Sequence, residues 1–107
     1  MKVFLDDERN PPDGWILVRW PQDAIDLLRA GKVTEISLDH DLGDDDHGTG
    51  NDVILWIEEQ VAVNDFDPPK ISVHSANPSA RKKMEAGINA IKSLKQISKY
   101  KENDSTI

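Results

Sequence analysis

The sequence predicts an α/β fold in which helices cover a small parallel sheet. Four short apolar runs and three segments of helical periodicity follow one another in the order β, β, α, β, α, β, α, and alternation of this kind is typical of parallel sheets. The chain has 107 residues, of which 37% are hydrophobic, and these values suit one compact domain with a modest core. We expect that domain to span residues 1–97 and a polar tail to span residues 98–107.

The first two strands and the first helix are predicted within the first 31 residues. Lys2–Leu5 is a short, mostly apolar run of the kind that forms a buried strand, and the prolines and the glycine of residues 9–14 interrupt the chain after it. Trp15–Val18 is predicted as the second strand. Pro21 suits the first position of a helix, and Gly31 stands where a C-terminal cap is expected.

The rest of the chain contains two further strand–helix units. Val33–Asp39 and Lys70–Ser75 are the predicted strands. The helix after the first of them is indicated by apolar residues at helical spacing, namely Val53, Ile54, Ile57 and Val61. Asn77 can cap the last helix, with Pro78 in its first turn, and its buried stripe is formed by Ala80, Met84, Ile88 and Ile91.

Composition and charge exclude several classes of function. The absence of cysteine rules out disulfides and cysteine-based zinc sites, and no apolar run approaches the roughly 20 residues of a membrane span. The apolar part of the N-terminus is too short for a signal peptide, so we expect a soluble cytoplasmic protein without a membrane partner. The net charge of -7 argues against nonspecific binding to nucleic acid, and the oligomeric state is not predicted.

Chemically active side chains follow three of the four predicted strands. Ligand sites in open parallel sheets form beyond the carboxyl ends of the strands, and neighbouring strands lie only about 4.8 Å apart. We therefore expect these side chains to share one site. They are Asp6, Asp7 and Arg9 after the first strand, Asp39, His40 and Asp41 after the third, and His74, Ser75 and Asn77 after the fourth.

This pattern resembles the receiver domain of response regulators. In that family an acid pair after strand one and an aspartate closing strand three hold Mg²⁺, and the latter aspartate accepts a phosphoryl group; a serine or threonine closes strand four. By position these residues are Asp6, Asp7, Asp39 and Ser75. The sequence departs from receivers in having no fifth strand with its lysine, no helix between the first two strands, and histidines at positions 40 and 74.

A closer resemblance covers nearly the whole chain. The segments FLDDER, GW, ISLDHDLG, GTG and HSANP, followed by Arg81, resemble the cyclic-phosphate processing receiver domains. The resemblance implies a small three-layer receiver-like fold, with a four-stranded parallel sheet in the order 2-1-3-4 and no fifth strand. It also implies a role on cyclic phosphates, in RNA repair or in nucleotide signalling.

The residues suit the hydrolysis of a cyclic phosphate. Asp6, Asp7 and Asp39 are expected to hold Mg²⁺ or Mn²⁺. Histidine as a residue type suits proton transfer near neutral pH, so His40 and His74 are the candidates for it. The other candidates bind phosphate or flank the histidines, and they are Arg9, Arg81, Ser75, Asn77, Thr49 and Asp41.

The two histidines are expected to differ. His40 lies between Asp39 and Asp41, whose charges favour the imidazolium form, and it is the predicted proton donor to the leaving oxygen. His74 is expected to face less charge and to precede a helix N-terminus, so it is the predicted base or a neutral donor. A half-buried, hydrogen-bonded strand residue is the alternative for His74. Residues 44–48 are expected to form a solvated loop rather than a second metal site.

Three functions remain open on the sequence. The first is a metal-assisted phosphodiesterase, a hydrolase that acts on a cyclic phosphate at an RNA end or in a nucleotide signal. The second is a non-catalytic, receiver-like module that binds Mg²⁺ or a phosphorylated ligand and signals through a partner. The third is a metal-free phosphodiesterase with two catalytic histidines, although the many carboxylates would then repel the phosphate.

Overall fold

The fold is a four-stranded parallel sheet with three helices, in a computed structural model that describes residues 1–40 and 48–104. The strands run in the order β2-β1-β3-β4, and every neighbouring pair is parallel. The predicted fold class and strand order are therefore confirmed. The elements are β1 (Lys2–Leu5), β2 (Trp15–Val18), α1 (Pro21–Arg29), β3 (Glu35–Leu38), α2 (Gly50–Asn64), β4 (Lys70–Val73) and α3 (Pro78–Asp104).

The strands are short, and the residues of interest lie just past their ends. The predicted third and fourth strands extend to Asp39 and Ser75, whereas β3 ends at Leu38 and β4 at Val73. The ladder nevertheless continues for one residue, because the backbone N–H of Asp39 donates to the carbonyl of Leu5 and that of His74 donates to the carbonyl of Leu38, each at 3.0 Å. Asp39 and His74 are thus fixed by the sheet itself.

One face of the sheet carries the hydrophobic core. Alternate residues of the two central strands point to it, and they are Val3, Leu5, Ile36 and Leu38, all fully buried. All three helices contribute to the same cluster, through Ala24, Ile25 and Leu28 of α1, Val53, Ile54, Ile57 and Val61 of α2, and Met84, Ile88 and Ile91 of α3. The helical stripes predicted from the apolar spacing are therefore the ones that pack against the sheet.

The opposite face carries Phe4 and Ser37, which lie side by side in register on β1 and β3. The layering therefore differs from the three-layer expectation: over residues 1–40 and 48–104 the helices pack on one side, giving two layers. The physical reason is the connection between β1 and β2, which is nine residues long and contains no helix.

The last helix is longer than the sequence indicated. We expected a polar tail from residue 98, whereas α3 continues to Asp104; the domain boundary at residue 97 stays a prediction. In the part of the chain that the structure describes, no helix is long and apolar enough to cross a membrane.

Candidate functional site

Asp6 is the centre of the site and is almost completely buried, with 1% of its surface exposed. Its Oδ1 accepts hydrogen bonds from the backbone N–H groups of Glu8 and Arg9, both at 2.8 Å. The backbone N–H of Asp6 donates to the carbonyl of Val18, and Nη1 of Arg19 donates to the carbonyl of Asp6 at 3.3 Å. The turn after β1 therefore closes around the carboxylate and holds it in one orientation.

The pKa of Asp6 is lowered from its ordinary value of 3.8. Burial acts in the opposite direction and raises this pKa, but the backbone hydrogen bonds from Arg9 and Glu8 and the neighbouring His74 outweigh it. Asp6 is consequently an ionised carboxylate at neutral pH, and it can only accept hydrogen bonds.

His74 reaches Asp6 across an intervening strand. It follows β4, which is separated from β1 by β3, yet its Nε2 lies 3.0 Å from Oδ2 of Asp6. Its Nδ1 lies 2.7 Å from Oγ of Ser37, and its ring stacks on Phe4 with the centroids 4.2 Å apart and the planes at 6°. The small side chain of Ser37 leaves room above β3 for the two rings to meet.

His74 is not free of charged neighbours, because an ionised carboxylate contacts its Nε2; that it faces less charge than His40 stays a prediction. The side chain is 16% exposed and hydrogen bonded at both ring nitrogens. Its position agrees with the alternative interpretation of a half-buried, hydrogen-bonded residue. That arrangement also places an imidazole directly beside the predicted metal-binding acids.

Asp6, Asp39 and His74 form a group that a single cation can bridge. Each offers one ligand atom, and these atoms all lie within 4.8 Å of one another. Two carboxylates suit Mg²⁺ or Mn²⁺, and an imidazole favours Mn²⁺ over Mg²⁺, so the donor set fits a divalent cation. Asp7, the third predicted ligand, is half-buried and is not a member of this group.

The backbone of Asp39 is fixed by the start of α2. Any side chain at Gly50 would collide with the backbone oxygen of Asp39, so only glycine permits this close approach. Thr49 is the N-cap of α2, and its N–H donates to Oδ2 of Asp52 at 2.8 Å. The predicted Thr49 thus has a capping role in the structure, and its predicted contact with phosphate stays a prediction.

The segment after β4 forms the start of α3 as predicted. Oδ1 of Asn77 accepts hydrogen bonds from the N–H groups of Ser79 and Ala80, which makes Asn77 the helix cap. Ser75 is buried, and its Oγ accepts from the N–H of Asn77 at 3.2 Å. Both residues lie within three positions after His74, in the turn that leads from the sheet into α3.

The two predicted phosphate-binding arginines differ in position. Nη1 of Arg9 donates to the carbonyl of His74 at 3.4 Å, and its side chain is exposed. Arg81 pairs instead with Glu85, one turn further along α3, at 3.2 Å. Arg9 is therefore directly linked to the cluster, whereas Arg81 is committed to a surface ion pair.

The remaining predicted residues lie around the end of β3. His40 is half-buried and follows Asp39 directly, but it is not a member of the cation-compatible group. Asp41 and residues 44–47 of the predicted solvated loop lie outside the described residues. The roles assigned to His40 and Asp41 stay predictions.

Sequence reasoning missed two residues of the site, Ser37 and Phe4. Ser37 is a buried polar residue between the apolar Ile36 and Leu38 of β3, and that interruption was the available signal. Phe4 had no comparable signal, because an aromatic residue in a buried strand is ordinary core material. Its role becomes visible only when the strand order places it opposite His74.

The comparisons with known proteins agree with this architecture. The family model described as the cyclic-phosphate processing receiver domain matches residues 1–90, a range that includes every residue of the cluster. No curated protein and no solved structure matches the chain significantly. The match covers most of the chain, and with the four-stranded sheet and the acids at its carboxyl edge it shows that the chain belongs to the cyclic-phosphate processing receiver domain family.

Proposed function

We propose that this chain is a metal-assisted phosphodiesterase that opens a cyclic phosphate, either the 2′,3′-cyclic end of an RNA or a cyclic nucleotide or oligonucleotide. The observation that carries the proposal is the convergence of Asp6, Asp39 and His74, whose ligand atoms lie within 4.8 Å of one another. They converge at the carboxyl edge of a parallel sheet, where such folds bind ligands. The family's description supplies the substrate class.

Asp6 and Asp39, with His74 beside them, are the residues that would hold the cation. A divalent cation bound there would neutralise charge on the phosphate and lower the pKa of a water molecule. Without a cation, the two carboxylates and the phosphate would repel each other. This repulsion is the reason for preferring the metal-assisted reaction to the metal-free reaction with two histidines.

The reaction adds the oxygen of one water to phosphorus and breaks one phosphorus–oxygen ester bond. The water loses a proton, the leaving oxygen gains one, and the product is a phosphomonoester. We assign protonation of the leaving oxygen to His40, which is half-buried beside Asp39. Of the two roles predicted for His74, the donor role fits the cation-free site, in which Nε2 carries the proton towards the ionised Asp6; when Nε2 ligates the cation, His74 holds the metal and donates no proton from that atom.

Arg9 is the better of the two candidates for gripping the phosphate. Its exposed side chain already contacts the backbone of His74, and a guanidinium can bind two phosphate oxygens at once. The N–H groups of Ser79 and Ala80 at the start of α3 are hydrogen bonded to Asn77. The feature that supports a phosphate position beside the cluster is therefore Arg9.

The test is a panel of cyclic nucleotides and oligonucleotides ending in a 2′,3′-cyclic phosphate. Each substrate is incubated with wild type in Mg²⁺, in Mn²⁺ and in a chelator, and the phosphomonoester product is measured. We expect turnover that requires the cation and that is lost in Asp39→Asn. Turnover that persists in the chelator would favour the metal-free alternative.

Cation binding is tested separately by thermal unfolding. A ligand that binds only the folded state raises the midpoint of unfolding with its concentration, so Mg²⁺ or Mn²⁺ should raise the midpoint of wild type. Asp39→Asn should lose most of this shift, whereas Asp67→Asn, an exposed aspartate outside the cluster, should keep it. Equal shifts in the three proteins would contradict the assignment.

A non-catalytic binding module is the second candidate, and one observation favours it. Both ring nitrogens of His74 are engaged, with Asp6 and Ser37, so this imidazole is held as a structural partner in the described conformation. If a cyclic phosphate of the panel binds in a cation-dependent manner but yields no product, the chain is a receiver-like module that binds the ligand without hydrolysing it.

A further inference from the structure

Ser37 occupies an unusual position for a hydroxyl group. It lies on β3, one of the two central strands, and is 8% exposed. Its neighbours Ile36 and Leu38 point to the core on the other face of the sheet. Its Oγ lies 2.7 Å from Nδ1 of His74, which is a short distance for a bond between an oxygen and a ring nitrogen.

The direction of this hydrogen bond follows from the other end of the ring. Asp6 is an ionised carboxylate and only accepts, so Nε2 of His74, 3.0 Å from Oδ2, must carry a proton. A neutral imidazole has only one N–H, and Nδ1 is then an acceptor. The hydroxyl of Ser37 therefore donates to Nδ1 whenever the ring is neutral.

We propose that Ser37 is the positioning residue of the site: its hydroxyl holds the ring of His74 across β3 so that Nε2, and not Cε1, faces Asp6 and Asp39. A ring without this contact can turn by 180° about its Cβ–Cγ bond, which places Cε1 against Asp6, and the ring is then no longer held to the Nε2–H tautomer by the carboxylate. Stacking on Phe4 fixes only the plane of the ring, whereas the hydrogen bond to Ser37 fixes which edge points to Asp6.

The hydroxyl also suits the state in which a cation is bound. An imidazole that ligates through Nε2 carries its proton on Nδ1, and the group that receives this second N–H orients the ligand. Oγ of Ser37 can accept as well as donate, so the same contact serves with and without a cation. The expected effect of Ser37 on cation binding rests on the proposed function. Its expected effect on the tautomer of the metal-free ring is independent of that function.

The first experiment measures the ring nitrogens of His74 by long-range ¹H–¹⁵N NMR in metal-free protein, at a pH above the titration range of histidine. The chain has three histidines, so the signals can be assigned by substitution. Wild type should show the Nε2–H tautomer, and Ser37→Ala should show a mixture of tautomers. Ser37→Thr, which keeps a hydroxyl group, should retain the wild-type pattern.

Ser72→Ala is the matched control. Ser72 is the register partner of Ser37 on β4, lies on the same face of the sheet and is exposed, so its replacement should leave the tautomer unchanged. If Ser37→Ala does not fold by circular dichroism, Ser37→Cys keeps the size of the side chain with a much weaker donor and is measured instead. A single, unchanged tautomer in Ser37→Ala or Ser37→Cys would overturn the proposal.

The second experiment titrates the same variants with Mn²⁺ and follows binding by calorimetry. Removing a group that orients a metal ligand typically weakens binding by about 10- to 100-fold, and we expect this loss for Ser37→Ala but not for Ser37→Thr or Ser72→Ala. Equal affinities in Ser37→Ala and wild type would overturn the role in cation binding. If wild type binds no Mn²⁺, the proposed cation site fails, and the tautomer measurement alone decides the role of Ser37.

Discussion

The two faces of the sheet are built for different purposes. On one face Val3, Leu5, Ile36 and Leu38 are completely buried beneath three helices and belong to one hydrophobic cluster. On the other face the same two strands present Phe4 and Ser37, and these join Asp6, just past β1, and His74, just past β4, in a hydrogen-bonded and stacked group. Because successive residues of a strand point to opposite faces of the sheet, neighbouring residues such as Ile36 and Ser37 belong to the hydrophobic core and to the candidate site, respectively.

The difference shows how a buried charge is tolerated in a small protein. An ionised carboxylate without partners is costly to bury, but Asp6 receives two backbone N–H groups and the Nε2 of His74. In the described part of the chain, no buried side-chain nitrogen or oxygen lacks a hydrogen-bond partner. The polar face is stable because its groups satisfy one another, whereas the core face is stable because it excludes water.

His40→Ala should produce the largest effect, and that effect should be on activity. If His40 protonates the leaving oxygen, its removal should slow hydrolysis by about 10²- to 10⁴-fold. A substrate with an acidic leaving group needs no proton and should recover part of this loss. The rates of both substrates are measured at saturating cation, with His47→Ala as a control matched in residue type. Full activity of His40→Ala would remove His40 from the mechanism.

Ile36→Ala should have the opposite effect, a loss of stability with intact binding. Ile36 is fully buried in the core and adjoins Ser37 in the sequence. Truncating a buried isoleucine typically costs about 2–5 kcal/mol of the free energy of unfolding, which urea denaturation measures. Calorimetry of the folded fraction should still show wild-type affinity for Mn²⁺. A large loss of affinity would mean that the two faces are energetically coupled.

Asp6→Asn should lower both the stability and the cation affinity, because Asp6 is a buried carboxylate and a member of the cation-compatible group. An asparagine amide has one oxygen and one NH₂ group. If the oxygen accepts from the backbone N–H groups, the NH₂ group faces the protonated Nε2 of His74; if the oxygen faces Nε2, the NH₂ group faces the backbone N–H groups. The loss of such a charged, buried hydrogen bond typically costs about 1–3 kcal/mol. Urea denaturation at neutral pH measures this cost, and Asp13→Asn, an exposed aspartate of the same loop, is the control.

The pH dependence of stability gives a second measurement on Asp6. Its folded pKa lies below the ordinary value of 3.8, so the folded state binds protons less readily than the unfolded state. The stability that this carboxylate contributes is present above 3.8 and is lost as the pH falls through the lowered pKa. Asp6→Asn should therefore lose less stability than wild type between neutral and acidic pH. Parallel curves for the two proteins would contradict this contribution.

The fold was predictable because each element had a local signal. Proline at the start of α1 and Asn77 before α3 marked helix beginnings, and the apolar spacing of α2 marked its buried face. The end of α3 was not predictable in the same way, because the polar segment after residue 97 contains neither proline nor glycine to stop a helix. Its sequence suits a solvated helix as well as an irregular tail.

The site was predictable only in part, because its partners are distant in the sequence. The strand-end rule placed Asp6, Asp39 and His74 at one edge, and the structure brings these three together. It did not reveal that the side chain of His74 extends over β3 to Asp6 or that it is hydrogen bonded to Ser37. Such contacts depend on the register of the strands and on the small size of the Ser37 side chain between them. Asp7 was included by its position beside Asp6, although adjacent residues need not point to the same side of the chain.

The smallest expected effect concerns the stack of Phe4 and His74, and it tests whether the polar face is a coupled unit. The rings are nearly parallel at 4.2 Å, and aromatic pairs typically contribute about 0.5–1.5 kcal/mol beyond the area that they bury. A double-mutant cycle isolates this term: Phe4→Leu, His74→Gln and the double variant are compared with wild type by urea denaturation.

The cycle should give a coupling energy in that range. Phe4→Leu removes the stack and the edge contact with Trp15, and His74→Gln removes the stack together with the bonds to Asp6 and Ser37, so the stack is the contact that both substitutions share. The same His74→Gln background combined with Leu17→Val, a half-buried residue that lies beside Phe4 on β2, serves as the control and should be additive within about 0.5 kcal/mol. If Phe4 and His74 are also additive, the ring of Phe4 contributes only hydrophobic area. The orientation of His74 would then depend on Ser37 and Asp6 alone.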